Sequence, residues 1–253
     1  MAVSLNDRSF NYGDGTFTTM QVQQGRIQLW PLHLQRLQHA AGVLGFTGIN
    51  WQDVQQQAFA AAAAYTLTSQ VLKLLLSRGE GGRGYATQGV SDARLYISSS
   101  SMPDYAAARL SGVCMQLAQL KLAVQPALAG LKHNNRLEQV LLKQELAGTD
   151  ADELLVLDQQ GYITEASAAN VFFYRDNNWY TPELSRAGVA GVMRQHLLQQ
   201  TQVTEVNWQL SELNHIDAMF ICNALMGIVP VRMLADKALA LKPVQQLSES
   251  LAW

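Results

Sequence analysis

Apolar residues recur at helical spacing in two early stretches and gather in many short runs elsewhere, which predicts few helices and more strands. After Pro31, Leu34, Leu37, Ala41 and Leu44 fall on one helical face, and a proline suits the first turn of such a helix. Asn50 is placed to cap a second helix over the alanine-rich residues 51–65. Residues 16–22 are strand formers, and a Gln24-Gly25 turn leads into 26–29, which predicts a hairpin. The glycine-aspartate stretch 11–15 is expected outside regular structure. The run 71–76, broken only by Lys73, reads as a buried strand, and 93–99 as another.

The second half predicts strands at 113–120, 153–157, 169–174, 204–209, 218–222 and 228–231. Helices are expected at 135–146, 192–200 and 244–251, a loop at 126–131, and turns at 159–161 and 176–178. Strands outnumber helices there. At 98–105 the composition becomes small and polar, which divides the chain into a smaller domain over 1–103, a linker over 104–112 and a larger domain over 113–253. Two helices packed on a few strands give the first part an α+β layer pattern.

With 253 residues and 48% hydrophobic content, the chain is long enough for a sizeable core. A formal charge of −2 with 15% charged residues lacks the basic footprint that nucleic acid or an anionic membrane selects, so a small-molecule substrate is expected. Cys114 and Cys222 lie far apart without ligand spacing, so both are expected reduced and buried, with no metal site. The start of the chain has no basic segment followed by an apolar core, and the longest apolar runs fall well short of a span. A cytoplasmic protein without a membrane segment is expected.

Four stretches carry candidate chemistry. In Gly130-Leu-Lys-His-Asn-Asn-Arg-Leu-Glu-Gln-Val140, Lys132 follows a glycine turn and precedes a helix. It reads either as a solvated loop lysine or as one that bonds a carbonyl, for which His133 and Arg136 supply neighbouring positive charge. In Gly161-Tyr-Ile-Thr-Glu-Ala-Ser-Ala-Ala-Asn170, Glu165 is followed by small residues. It reads either as a surface glutamate at a strand end or as a carboxylate facing a flat pyridine ring. Arg36, in His33-Leu-Gln-Arg-Leu37, is either a solvated helix arginine or a phosphate ligand. Gly188-Val-Ala-Gly-Val-Met-Arg194 enters a helix whose first amides suit an anion.

The order of these stretches resembles the fold-type IV enzymes that use pyridoxal 5'-phosphate, over nearly the whole chain. That family includes branched-chain and D-amino-acid aminotransferases and 4-amino-4-deoxychorismate lyases. The resemblance implies a smaller N-terminal α/β sandwich, a larger C-terminal β-rich, barrel-like domain, and a homodimer. It implies that Lys132 bonds the cofactor aldehyde, Glu165 partners the pyridine nitrogen and Arg36 holds the phosphate. Amides at Val192 and Met193, and around Asn223 and Ala224 as far as Leu225, complete the phosphate site.

Within the family, Tyr12-Gly-Asp-Gly-Thr-Phe-Thr-Thr19, Ser77-Arg-Gly-Glu-Gly-Gly-Arg-Gly-Tyr85, the Lys132 stretch and Ile221-Cys-Asn-Ala-Leu-Met226 are similar to the lyase branch. That likeness implies conversion of 4-amino-4-deoxychorismate to 4-aminobenzoate and pyruvate, in folate biosynthesis; the alternative is a D-amino-acid or branched-chain aminotransferase on the same fold. The substrate's two carboxylates call for further cations, with Arg83 the first candidate and Arg78 the second. Tyr85 and Asn11 are candidate lining residues. Family members usually carry a short strand and an Asn-Gly turn before the segment matching Asn6-Asp-Arg8, whereas this chain begins almost directly at it.

Overall fold

In the computed structural model, which describes residues 3–65, 67–81, 84–90 and 92–251, Asp7 opens the first helix. Its Oδ1 accepts the Ser9 amide at 2.8 Å and the Phe10 amide at 3.3 Å, capping α1 (Arg8–Tyr12). Gly13, at φ 65°, ends it. The turn expected over 11–15 is therefore partly helical, because the cap lies upstream of the glycines that suggested a turn.

The chain forms two compact units, Met1–Pro103 with Leu131–Asn135, and Asp104–Gly130 with Arg136–Trp253. In the first, β1 (Gly15–Gln23), β2 (Arg26–Ile27), α2 (Trp30–Val43), α3 (Trp51–Ala63), β3 (Ser69–Ser77) and β4 (Arg94–Ser101) follow α1. The strands make an antiparallel sheet in the order β2-β1-β3-β4, with Thr18 opposite Leu74 and Met20 opposite Leu72. Period-two alternation turns Thr16, Thr18, Met20 and Val22 of β1 inward. The two helices cover that face, burying Leu37, Ala58, Leu72 and Leu74 fully, and each such leucine contributes about 1.5–3 kcal/mol relative to exposure.

Asn50 caps α3 as expected, its Oδ1 accepting the Gln52 and Asp53 amides at 3.1 and 3.2 Å. The serines at 98–101, which suggested a linker, belong to β4, with Ser98 opposite Lys73 and Ser101 opposite Gln70. On an edge strand, half of whose surface is wet, small polar residues cost little.

The second unit carries α4 (Ala106–Ser111), β5 (Val113–Leu117), α5 (Leu137–Leu146), β6 (Glu153–Leu157), β7 (Ile163–Ala166), β8 (Asn170–Arg175), β9 (Asn178–Pro182), α6 (Val192–Gln200), β10 (Val203–Val206), β11 (Ala218–Asn223), β12 (Gly227–Leu234), β13 (Lys237–Ala238) and α7 (Lys242–Ser250). Eight strands run β10-β9-β8-β11-β12-β5-β6-β7, with β13 on β12, and the sheet curls so that β7 also meets β8 and β9. Within this half-barrel, β6 and β11 are buried along almost their whole length, and Phe172 stacks on Phe220 with centroids 4.6 Å apart.

Residues 104–112, expected as a linker, contain α4, whose Arg109 donates from Nε to the Met226 carbonyl at 2.8 Å. Cys222 is buried, and burial raises its pKa; Cys114, expected buried, is half-buried. Both are free thiols.

Candidate active-site residues

In the second unit the site is built around β7. Glu165 lies opposite Val156 of β6 and is 5% exposed. The Val189 amide donates to its Oε2 at 2.8 Å, and Gln139 Nε2, from the first turn of α5, donates to its Oε1 at 3.4 Å. Asn170 fixes the same loop from the other side: its Nδ2 donates to the Val189 carbonyl at 2.8 Å, and its Oδ1 accepts the Gly191 amide at 3.0 Å. A carboxylate and an amide thus hold residues 189–191 in place where α6 begins.

The approach is close enough to require glycine. A Cβ on Gly188, at φ +82°, would stand 2.7 Å from Thr164 Cγ2, and one on Gly191 would meet Asn170 Oδ1 at 2.0 Å. Val192 and Met193, in the first turn of α6, bury their side chains, with Gly191 as the N-cap. Gly130 bridges to Val189, donating to the Gly188 carbonyl and accepting from the Ala190 amide, each at 3.0 Å. Lys132 follows two residues later in the chain.

Burial lowers the pKa of Arg136, at the start of α5, while the Glu165 and Glu138 carboxylates act in the opposite direction. At the turn between β11 and β12, Asn223 Oδ1 accepts the Leu225 and Met226 amides at 2.9 and 2.8 Å, and its Nδ2 donates to the Ala168 carbonyl at 3.1 Å. The Leu225 amide, expected to reach an anion, instead closes this turn around Asn223. Ala224 stands at the tip of the turn.

In the first unit, residues 131–135 run antiparallel to the start of β1. The Phe17 amide and the Thr16 hydroxyl donate to the Lys132 carbonyl at 3.0 and 3.1 Å, and the Asn134 amide donates to the Gly15 carbonyl at 3.0 Å. The half-buried Lys132 side chain carries its Nζ 4.7 Å from the centre of the Phe17 ring. Arg36, on α2, is half-buried, and burial pushes its pKa down to about 10. One turn earlier, His33 is 1% exposed with its Nδ1 2.6 Å from Thr18 Oγ1.

The candidate substrate residues divide. Arg83 lies outside the described residues. Arg78 is buried and its guanidinium is engaged at every nitrogen: Nε and Nη2 grip both Asp14 oxygens at 2.7 and 3.0 Å, while Nη1 and Nη2 donate to the Gly45 and Leu44 carbonyls at 3.0 and 2.6 Å. It therefore acts as a structural cation in this unit. Asn11 likewise donates to the Leu5 and Asp7 carbonyls at 2.7 and 3.2 Å. Tyr85 is 84% exposed, its ring set edge-on against Tyr12 at 5.4 Å.

Arg8, not anticipated from the sequence, holds the Tyr85 loop. Its Nη atoms donate to the Gly84, Tyr85 and Ala86 carbonyls at 3.2, 3.0 and 3.1 Å, and its Nε meets Asp14 at 2.8 Å. Burial acts to raise the Asp14 pKa, but Arg78 and Arg8 overrule it and hold the carboxyl below its ordinary value. Asn170 also escaped notice, although it ends a stretch already singled out. An asparagine after a run of small residues was the available signal.

A sequence profile described as amino-transferase class IV matches residues 15–234. The chain belongs to the amino-transferase class IV family. Among members of this class, aminodeoxychorismate lyase of Vibrio harveyi is 38% identical over 235 residues, covering 90% of this chain and 86% of that protein. The crystal structure of 4-amino-4-deoxychorismate lyase from Pseudomonas aeruginosa is 34% identical and superposes with a TM-score of 0.92, covering 100% of this chain and 97% of that one. The branched-chain amino acid aminotransferase of Escherichia coli, at 21% identity and a TM-score of 0.86 over 99% and 89% of the two chains, shares the class IV fold.

Proposed function

We propose that this class IV protein is a pyridoxal-phosphate-dependent lyase that converts 4-amino-4-deoxychorismate to 4-aminobenzoate and pyruvate, as a cytoplasmic homodimer serving folate biosynthesis. The likeness to two lyases over nine-tenths or more of the chain supports this activity over amino transfer. The observation that carries the cofactor assignment is Glu165, a buried carboxylate with one oxygen fixed by a backbone amide.

The residues present fit the cofactor. A buried anion suits a protonated ring nitrogen, Ala166, Ser167 and Ala168 leave space beside it, and the glycine-bounded start of α6 suits a phosphate. Lys132 would bond the aldehyde, Glu165 hold the ring nitrogen, and Arg36 with the amides of Val192, Met193 and the Asn223–Ala224 turn hold the phosphate. When bound, the cofactor supplies an aldehyde that captures an amine and a ring that accepts an electron pair.

Besides holding the aldehyde, Lys132 would supply through its Nζ the base that takes the proton from the carbon bearing the substrate's amine. Glu165 would face the ring nitrogen with its carboxylate. Loss of that proton and of the adjacent enolpyruvyl oxygen leaves an aromatic ring, and the departing enolate takes up a proton to become pyruvate. Arg83 is the proposed cation for a substrate carboxylate and Tyr85 a proposed lining residue; Arg8 anchors the chain at Gly84, Tyr85 and Ala86. Leu137, Val140 and Leu141, spaced on one face of α5 and 76%, 50% and 50% exposed, support a dimer that would cover them. No helix among the described residues is long and apolar enough to cross a membrane.

The test is a product assay on purified protein with added cofactor. Pyruvate and 4-aminobenzoate should form in equal amounts from 4-amino-4-deoxychorismate. Efficient transfer of amino groups to 2-oxoglutarate with neither product would instead identify an aminotransferase.

A further inference from the structure

Within the first unit, the segment 131–135 that carries Lys132 pairs antiparallel with the start of β1, Thr16 standing opposite His133. Two donors of β1 converge on the Lys132 carbonyl, the Phe17 amide at 3.0 Å and the Thr16 hydroxyl at 3.1 Å. The Asn134 amide donates to the Gly15 carbonyl at 3.0 Å, and Asn134 Nδ2 donates to the Ser9 hydroxyl. A Cβ on Gly15 would collide with Asn134 Nδ2, so the segment lies as close to β1 as a bare backbone allows.

Thr16 has no exposed surface and belongs to the inward face of β1, whereas the next residue, Phe17, points to the other face and sets its ring 4.7 Å from Lys132 Nζ. Neighbouring residues of one strand therefore meet the lysine at its carbonyl and at its tip. The strand pairing needs only the Phe17 amide and the Gly15 carbonyl. A valine at position 16 would fill the same space without a hydroxyl that burial obliges to find a partner. That hydroxyl takes the second lone pair of the Lys132 carbonyl, which narrows the orientation of the lysine's peptide and so the direction in which its side chain leaves the backbone.

We propose that Thr16 is a positioning residue for Lys132, its hydroxyl fixing the lysine's peptide so that Nζ is held ready to bond the cofactor aldehyde. This role rests on the pyridoxal phosphate reading above. Bond formation joins Nζ to the aldehyde carbon as C=N and releases one water. A lysine already ordered loses less freedom when it bonds, so loosening its peptide weakens the covalent part of cofactor binding and leaves the non-covalent part unchanged. Thr16 acts through Lys132 and moves no proton in the reaction.

The experiment compares two ligands on cofactor-stripped protein: pyridoxal phosphate, and deoxypyridoxine phosphate, which carries a methyl where the aldehyde stands and cannot bond a lysine. Thr16→Val should weaken pyridoxal phosphate about 3- to 10-fold, the scale of one hydrogen bond, and deoxypyridoxine phosphate less than about 2-fold. Thr16→Ser keeps the hydroxyl and should stay within about 2-fold of wild type for both ligands. A merely structural role would weaken both ligands equally in Thr16→Val, and that result, or no weakening at all, overturns the proposal.

If Thr16→Val fails to fold, Thr16→Ala, which also lacks the hydroxyl and crowds no neighbour, takes its place in the same comparison with the same expected outcome. Borohydride, which reduces the C=N bond to a stable amine link, reports the covalent state independently: wild-type protein should carry the trapped cofactor on Lys132. Wild-type protein that neither prefers pyridoxal phosphate nor traps it on Lys132 removes the cofactor reading as well. A wild-type preference that persists undiminished in the hydroxyl-free variant removes the role of Thr16 alone.

Discussion

Asp14 joins two buried arginines, and replacing it with asparagine tests how firmly the chain at Gly84–Ala86 is anchored. In Asp14→Asn the fold must bury the guanidiniums of Arg8 and Arg78, whose side chains are only 3% and 7% exposed, without their shared counter-ion. Breaking a buried pair by removing one partner costs about 3–5 kcal/mol. The carbonyls of Leu44, Gly45 and residues 84–86 still bind the two arginines, which favours the lower end. At roughly 2–4 °C per kcal/mol for a chain of this size, calorimetry at pH 7 should show Tm lowered by about 6–12 °C.

The pH dependence gives a second signature. Because the Asp14 pKa is depressed in the folded state, its stabilisation is fully present above the ordinary carboxylate pKa and is lost as pH falls through the depressed value. The gap in Tm between wild type and variant should therefore hold from pH 7 down to about 5 and narrow below about 4. In the lyase assay, loosening of the Arg8 anchor should raise KM more than it lowers kcat. A variant with unchanged Tm at pH 7, or a gap that widens in acid, would refute the reasoning.

Two other changes address the loop that meets Glu165. Gly188→Ala places a methyl against Thr164 at a positive φ, so it should cost about 1–3 kcal/mol in urea unfolding and speed release of the cofactor on dialysis. Asn170→Ala removes the bonds to the Val189 carbonyl and the Gly191 amide; a loss of about 1–3 kcal/mol is expected, with weaker cofactor retention, and Asn170→Asp should restore only the acceptor half.

Where local chemistry decides an element, it could be read directly. The Asn50 cap, the first-turn Pro31 and the glycines before Val192 placed α3, α2 and α6. Strands that depend on a distant partner were harder. β7 is four residues of mixed character that pair with β6, and its Thr-Glu-Ala end read as a motif without a strand. β4 was legible over 93–99, but its closing serines read as the start of a linker, because their order comes from the hydrogen-bond ladder to β3 rather than from apolar content.

Side-chain roles followed the same division. Glu165 and Lys132 stood out as candidates through their neighbours in the chain, whereas an arginine before a glycine did not reveal that Arg78 meets Asp14, 64 residues earlier. Nor did the sequence announce Arg8, whose partners at residues 84–86 exist only in the folded unit.

The central claim, that Lys132 serves a lyase reaction on pyridoxal phosphate, is tested most directly by mixing cofactor-loaded protein with 4-amino-4-deoxychorismate while following visible absorbance and pyruvate release. Wild-type protein should show a visible cofactor band that responds to substrate, with one pyruvate for each 4-aminobenzoate. Lys132→Ala should retain the cofactor without covalent attachment and release pyruvate at least about 1,000-fold more slowly, since both its base and its bond to the aldehyde are gone. Pyruvate release by Lys132→Ala at the wild-type rate would contradict the account.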